Sequence, residues 1–203
     1  MEIAFIALLF IEIIIFLMVT LFKTAKEIKR NDELVDCSLD KVPEGCKSLE
    51  NVFLSFDDEI IKVEKILLSK KGIFVILTKD YEGWIFGKED ERDWIQLAYN
   101  KKKKFYNPIW ENNVYVDAVR RKIPNMKHVP IYSVILFEDE CNLKKIESIT
   151  PVMNCWELRR YVVNLKNGIT LSDEEVENIM ISLCREPEKM SRYDTSIKNT
   201  WKN

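Results

Sequence analysis

The sequence predicts an α/β domain, built as a central mixed sheet flanked by helices and preceded by one transmembrane helix. Three observations carry this expectation. Residues 62–87 read as a run of strands joined by very short turns. A helical pattern at 110–122 is followed by an apolar strand at 129–137, the order that a crossover helix gives to a parallel strand. Residues 1–22 are almost wholly apolar, and roughly 20 such residues match the hydrocarbon thickness of a bilayer.

The first segment, 1–22, is read as a retained anchor. A cleaved signal peptide would carry a basic start and a small-x-small cleavage site, and neither is present. Lys23, Lys26, Lys29 and Arg30 follow directly, whereas the short start carries only Glu2. The positive-inside rule then places the N-terminus outside and the rest of the chain in the cytoplasm, a single-pass protein of the cell membrane. Glu12 sits near the middle of the span. As the neutral acid it offers self-association through the anchor helix, or it is simply tolerated there. Residues 23–47 read as a juxtamembrane linker, 48–185 as the folded domain and 186–203 as a polar tail.

Within the domain, 49–56 is a first strand with Val52, Leu54 and Phe56 alternating against polar neighbours. Asp57, Asp58 and Glu59 form an acidic turn. Residues 62–68 make a second strand, 69–72 a tight turn and 73–78 a third strand. Ile73, Phe74, Val75, Ile76 and Leu77 are apolar without alternation, which predicts a central strand covered on both faces. Another turn at 80–83 leads to a strand at 84–86. Trp94 opens a segment that runs to Lys101, Lys102, Lys103 and Lys104. These lysines, followed by Phe105 and Tyr106, read either as a solvated hairpin tip or as a patch contacting phosphates with aromatics to stack bases. Asn107 and Pro108 precede the helix at 110–122. Arg120, Arg121, Lys122, Lys127 and His128 read as a solvated basic face. After Pro151 a helical stripe of Trp156, Leu158, Tyr161, Val162 and Leu165 ends at Gly168. Ser172 and Glu175 then frame a capping box before Val176, Ile179, Met180 and Leu183.

Composition narrows the chemistry. The chain has 31 Lys and Arg against 33 Asp and Glu, and Glu2 and Glu12 are the only charges in 1–22, so the remainder is formally neutral. A strong, diffuse positive field is therefore absent. His128 is the only histidine, which leaves little material for histidine-based nucleophilic catalysis or zinc binding. The cysteines at 37, 46, 141, 155 and 184 form no C-x-x-C pair and read as reduced packing residues. No phosphate-cradling glycine loop and no internal repeat occurs among the five glycines.

A set of ordered segments carries a resemblance. Val63, Glu64 and Lys65 are followed by Gly72, Ile73 and Phe74, then by Ile76, Leu77, Thr78 and Lys79 with Tyr81 and Gly83. Further on come residues 84–87, 94–96, the FYNP of 105–108, Asn112 and the strand ending at Phe137. Over residues 48–147 the chain resembles the nuclease-related (NERD) domain, a branch of the PD-(D/E)xK nuclease-like fold. The resemblance implies a restriction-endonuclease-like sheet, metal-dependent phosphodiester hydrolysis with Mg²⁺ or Mn²⁺, and DNA or RNA as partner. It assigns catalytic positions to Glu64 and Lys79, with Glu64 also a metal ligand. Where the family carries the Glu of its Glu-x-Lys pair, this chain has Leu77. The spacing has a reason, because residues two apart on a strand share a face and project into one cleft. Leucine offers no oxygen to a hard cation, so the implied site is impaired. Asp58, Asp80 or Glu82 are neighbouring acids, and Glu111 stands where relatives carry a Gln.

Three functions follow as expectations. One is a membrane-anchored, nucleic-acid-linked domain with an impaired nuclease site and Lys101–Lys104 as its phosphate contacts. The second is an active nuclease with a relocated carboxylate. The third is a non-catalytic membrane-tethered protein-interaction scaffold.

Overall fold

The computed structural model describes residues 45–57 and 59–185. The expected anchor at 1–22, nearly all of the linker, Asp58 and the tail at 186–203 lie outside the described residues. Among the described residues no helix is long and apolar enough to cross a membrane.

The fold is mixed α/β, with two sheets where one was expected. The strands are β1 (Lys47–Phe56), β2 (Glu59–Ser69), β3 (Gly72–Lys79), β4 (Gly83–Lys88), β5 (Asp93–Ala98), β6 (Lys101–Tyr106), β7 (Ile131–Phe137), β8 (Cys141–Glu147) and β9 (Val152–Asn154). The helices are α1 (Pro108–Lys122), α2 (Leu158–Asn164) and α3 (Asp173–Cys184). The first sheet has the order β1-β2-β3-β7-β9 and the second the order β6-β5-β4-β8. Both are mixed. β3 runs antiparallel to β2 and parallel to β7, and β4 runs antiparallel to β5 and parallel to β8.

The apolar run of β3 is central, as its sequence requires. Gly72 through Leu77 are buried. On one face Ile73 and Val75 join a core with Val52, Leu54, Val63, Ile66 and Leu68, closed by Ala118 and Val119 of α1 and by Val176, Ile179 and Leu183 of α3. On the other, Phe74 stacks on Tyr132 at 5.0 Å and meets Tyr161 of α2 edge-on at 6.2 Å. A second core joins the sheets. It gathers Leu77, Ile135 and Phe137 from the first sheet with Ile85 and Trp94 from the second, and adds Ile109 and Cys141.

Two expectations need correction. The four lysines at 101–104 are not a hairpin tip but most of strand β6, paired with β5 from Ala98↔Lys101 to Ile95↔Lys104. The turn is Tyr99–Asn100, both with left-handed φ (50° and 59°), the two-residue geometry that matches strand twist. The cysteines are not all reduced either. Cys46, Cys141 and Cys184 are free, but Cys155 is disulfide-bonded.

The predicted capping box holds α3. The Ser172 side chain accepts from Glu175 N, and Glu175 Oε2 accepts from Ser172 N at 2.8 Å. His128 Nε2 lies 2.9 Å from the same carboxylate. The Ser172 amide, then His128 and the Ser172 hydroxyl, hold the Glu175 carboxyl down at about 2, against an ordinary 4.5. A depressed folded pKa gives stability that is present above the ordinary carboxylate range and is lost as the pH falls through the folded value. Thermal unfolding of the parent is therefore expected to weaken between about pH 5 and about pH 2 more steeply than that of Glu175→Gln. Parallel profiles for the two proteins would refute the coupling.

Candidate functional site

The end of β3 and the start of α1 build one corner of the molecule. Asn107 caps α1, its Oδ1 accepting from Ile109 N at 2.9 Å, and Pro108 stands at the first helical position, where its missing N–H costs nothing. One turn on, Asn112 is fully buried, and its Nδ2 donates to Val75 O (2.9 Å) and Ser133 Oγ (2.8 Å). These bonds fasten α1 across β3 and β7. Asn112 Oδ1 is the one buried side-chain polar atom without a partner among the described residues.

This placement brings Glu111, in the first turn of α1, onto Lys79 at the end of β3. Lys79 Nζ donates to Glu111 Oε2 at 2.7 Å, and both side chains are largely buried, with 20% and 30% of their surface exposed. An acid in a first helical turn is favoured by the backbone dipole, and the ammonium adds to that. Tyr115, one turn further along α1, is partly buried and packs against both cores. Burial raises its pKa, and the carboxylates of Glu111 and Glu64 raise it further. Glu64 thus belongs to the same electrostatic neighbourhood. Its strand pairs Lys65 with Ile76, which sets Glu64 level with Leu77. Glu64 itself is exposed.

Leu77 is only 3% exposed and packs in the second core. The position that would hold a metal-binding oxygen is filled by hydrocarbon that the core uses. Among the described residues no group of three Asp, Glu, His or Cys side chains is placed to hold a metal ion. Glu111 is committed to Lys79 and Glu64 stands alone as an exposed carboxylate. The residues present do not fit a firmly held Mg²⁺ or Mn²⁺, which needs several oxygens in near-octahedral array. Of the neighbouring acids, Glu82 accepts from the Tyr99 hydroxyl on the β5–β6 hairpin.

Lys101, Lys102, Lys103 and Lys104 lie on β6, at the edge of the second sheet. All four are exposed, and among the described residues only Lys104 approaches an acid, at 4.0 Å from Asp93. Four of the basic residues in and after the last turn of α1 are otherwise employed. Arg120 donates to Val129 O, Arg121 to Asp57, Lys122 to Arg185 O, and His128 is beside Glu175. Thiol chemistry is also disfavoured, since burial pushes the Cys141 thiol up to about 11 and raises that of Cys46.

The resemblance pairs Glu64 with Lys79 and marks Glu111 only as standing where relatives carry a Gln, whereas the structure sets Glu111 on Lys79 and Tyr115 beside it. The spacing of Glu111, Asn112 and Tyr115 on one helix was the available sign, because residues four apart share a face.

Residues 25–138 match the family model described as NERD, nuclease-related domain. An uncharacterized protein of Bacillus anthracis is 28% identical over 162 residues, an overlap of 77% of this chain and 75% of the relative.

Proposed function

This chain belongs to the nuclease-related domain family, and from that premise we propose that it is a nucleic-acid-binding member whose hydrolytic centre is disarmed. The observation that carries the proposal is the Lys79–Glu111 ion pair beside a buried Leu77. A lysine that is to orient or polarise an attacking water must present its ammonium to the cleft. Here it is satisfied by a carboxylate, and the second acid of the motif is replaced by a core side chain. Binding remains available, because Lys101–Lys104 form an exposed cationic strand that needs no metal to contact phosphates. In the same proposal, residues 1–22 anchor the protein in the cell membrane with the N-terminus outside and the domain in the cytoplasm. The apolar length and the lysines at 23, 26 and 29 support that arrangement. The restriction-endonuclease-like layout is supported by the β2–β3–α1–β7 order, with β7 parallel to β3.

The test uses the full chain in neutral detergent with plasmid and single-stranded DNA, in Mg²⁺ or Mn²⁺, beside Lys79→Ala and Glu111→Gln. All three proteins are expected to leave the DNA intact and to bind it with an affinity that falls steeply with salt. Changing Lys101, Lys102, Lys103 and Lys104 together to alanine is expected to flatten the slope of log K against log salt by about 0.7 per lost contact to single-stranded DNA. Cleavage by the parent that disappears in Lys79→Ala would mean a relocated carboxylate and an active nuclease. No cleavage and no salt-dependent binding would leave the interaction scaffold as the better account.

A further inference from the structure

The second sheet has two unlike faces. Ile85, Trp94 and Phe105 turn inward to the second core. The residues between them point the other way, and the strand register lines them up in two rows. Trp84 pairs with Leu97 and Leu97 with Lys102, while Phe86 pairs with Ile95 and Ile95 with Lys104. On the far side, β8 sets Asn142 beside Trp84 and Lys145 beside Phe86. The register shifts between Ile85 and Phe86, so Lys144 is the extra residue on β8. Its ammonium lies 5.0 Å from the centre of the Trp84 ring.

The outer face is therefore an aromatic pair two residues apart on β4, extended by Ile95 and Leu97. Lys102 and Lys104 bracket it from one edge strand, Lys144 and Lys145 from the other. None of the four apolar residues belongs to either core described above. Trp84 keeps 48% of its surface exposed. The acids on these strands gather towards one end: Asp93 near Lys104, and Glu147 near Lys145 and Lys88. Lys144, at the Trp84 ring, and Lys102, in the same cross-strand row as Trp84, have no ion pair among the described residues.

We propose that this face binds single-stranded nucleic acid, with a base stacked on Trp84 and phosphates held by Lys102, Lys104, Lys144 and Lys145. The proposal rests on the nucleic-acid reading above and extends its contact from the β6 lysines to the whole outer face of the second sheet. Charge selects an anionic partner, because lysines border the apolar strip on both edges. An exposed ring flanked by ammonium groups suits a base with its backbone running alongside, which is how sheet platforms take unpaired strands. A duplex keeps its bases stacked inside and cannot use the ring. A bilayer surface would also attract the lysines, but Phe86, Ile95 and Leu97 are already partly covered and leave little hydrocarbon to insert.

The full chain in neutral detergent is titrated into a fluorescent oligothymidylate of about twelve nucleotides, a length within the usual site size. Trp84→Ala is expected to weaken binding about tenfold and Trp84→Phe to restore most of it. Lys144→Ala, which leaves the β6 lysines in place, should weaken binding and reduce the salt slope by about 0.7. Trp84 and Lys144 lie outside the cores, and unchanged thermal unfolding of each variant establishes that the fold is kept. If the parent binds the oligonucleotide and these variants bind it as tightly, the sheet face is the wrong site while the nucleic-acid reading stands. If the parent binds no nucleic acid at low salt, both fall. Hydrogen exchange of β4–β6 supplies the remaining arm. Protection by vesicles containing phosphatidylglycerol, with none by the oligonucleotide, would make the face a membrane-docking surface and overturn the proposal.

Discussion

Asn107→Ala is expected to destabilise the domain by about 3 kcal/mol or more, far beyond an ordinary cap substitution of about 1 kcal/mol. Asn107 is fully buried and uses both ends of its amide. Its Oδ1 caps α1 through Ile109 N, while Nδ2 lies 3.2, 3.0 and 2.7 Å from the carbonyls of Lys88, Glu89 and Glu91. Its own N–H donates to Arg92 O at 2.8 Å. The residue therefore ties the β4–β5 loop to the helix that carries Glu111. Alanine leaves the buried Ile109 N–H without its acceptor and takes the donor from Glu91 O, while Lys88 O and Glu89 O keep the indole N–H groups of Trp94 and Trp110. A buried group left unpaired costs about 1–3 kcal/mol. Asn107→Asp makes the argument specific. It keeps the cap acceptor and the shape, but turns the donor into an anion facing three carbonyl oxygens, so it is expected to be at least as damaging as alanine. Urea unfolding measures both. An aspartate variant as stable as the parent would mean that only the cap matters.

Gly87→Ala is expected to be the second severe substitution, costing about 3 kcal/mol or abolishing folding. A Cβ at Gly87 would lie 2.1 Å from Trp94 Cδ2, 2.4 Å from Cε2 and 2.5 Å from Cγ, so the indole face itself is the obstacle. That ring has no room to withdraw. Trp94 is fully buried, lies nearly parallel to Phe137 (7° between planes, centroids 6.3 Å apart), and donates from Nε1 to Lys88 O at 2.9 Å. The clash argument predicts strong coupling. In a Trp94→Leu background, already weakened by the lost indole, Gly87→Ala should add far less than it costs alone. Additive losses across the double-mutant cycle would show that the methyl acts through something other than the ring.

The elements that sequence made visible are those whose burial is written in consecutive residues. The unbroken apolar run of β3, the parallel β7 after a helix, and the Ser172–Glu175 box all lie where their patterns place them. The elements that escaped are polar edge strands. β6 is four lysines before two aromatics, and β8 shows only Leu143 and Ile146 among charges, so neither offers a hydrophobic period to read. The turn between β5 and β6 contains no glycine, and Asn100 was its only sign. Without those strands the second sheet was not apparent, and β4 and β5 were expected within a single one. For the candidate site the limit is different. Lys79 and Glu111 are far apart in sequence and meet only because Asn112 seats α1 across β3 and β7. The motif position of Leu77 was legible, whereas its role in a core shared by two sheets depends on tertiary packing alone.

The pairing of Ile73 with Ile131 also governs how the protein is made. Chain emerging from a ribosome supplies β1, β2 and β3 early, as an antiparallel meander that can form from local contacts. The partner on the other side of β3 is synthesised only after β4, β5, β6 and α1. Until then a strand with an unbroken apolar run from Ile73 to Leu77 offers an open row of backbone donors and acceptors to any neighbour. Closing that long loop makes the parallel pairing the slow step of folding, and the intermediate before it is the species at risk of aggregation. Substitutions in β7 should therefore slow acquisition of the native state and lower soluble yield, even where the finished domain tolerates them.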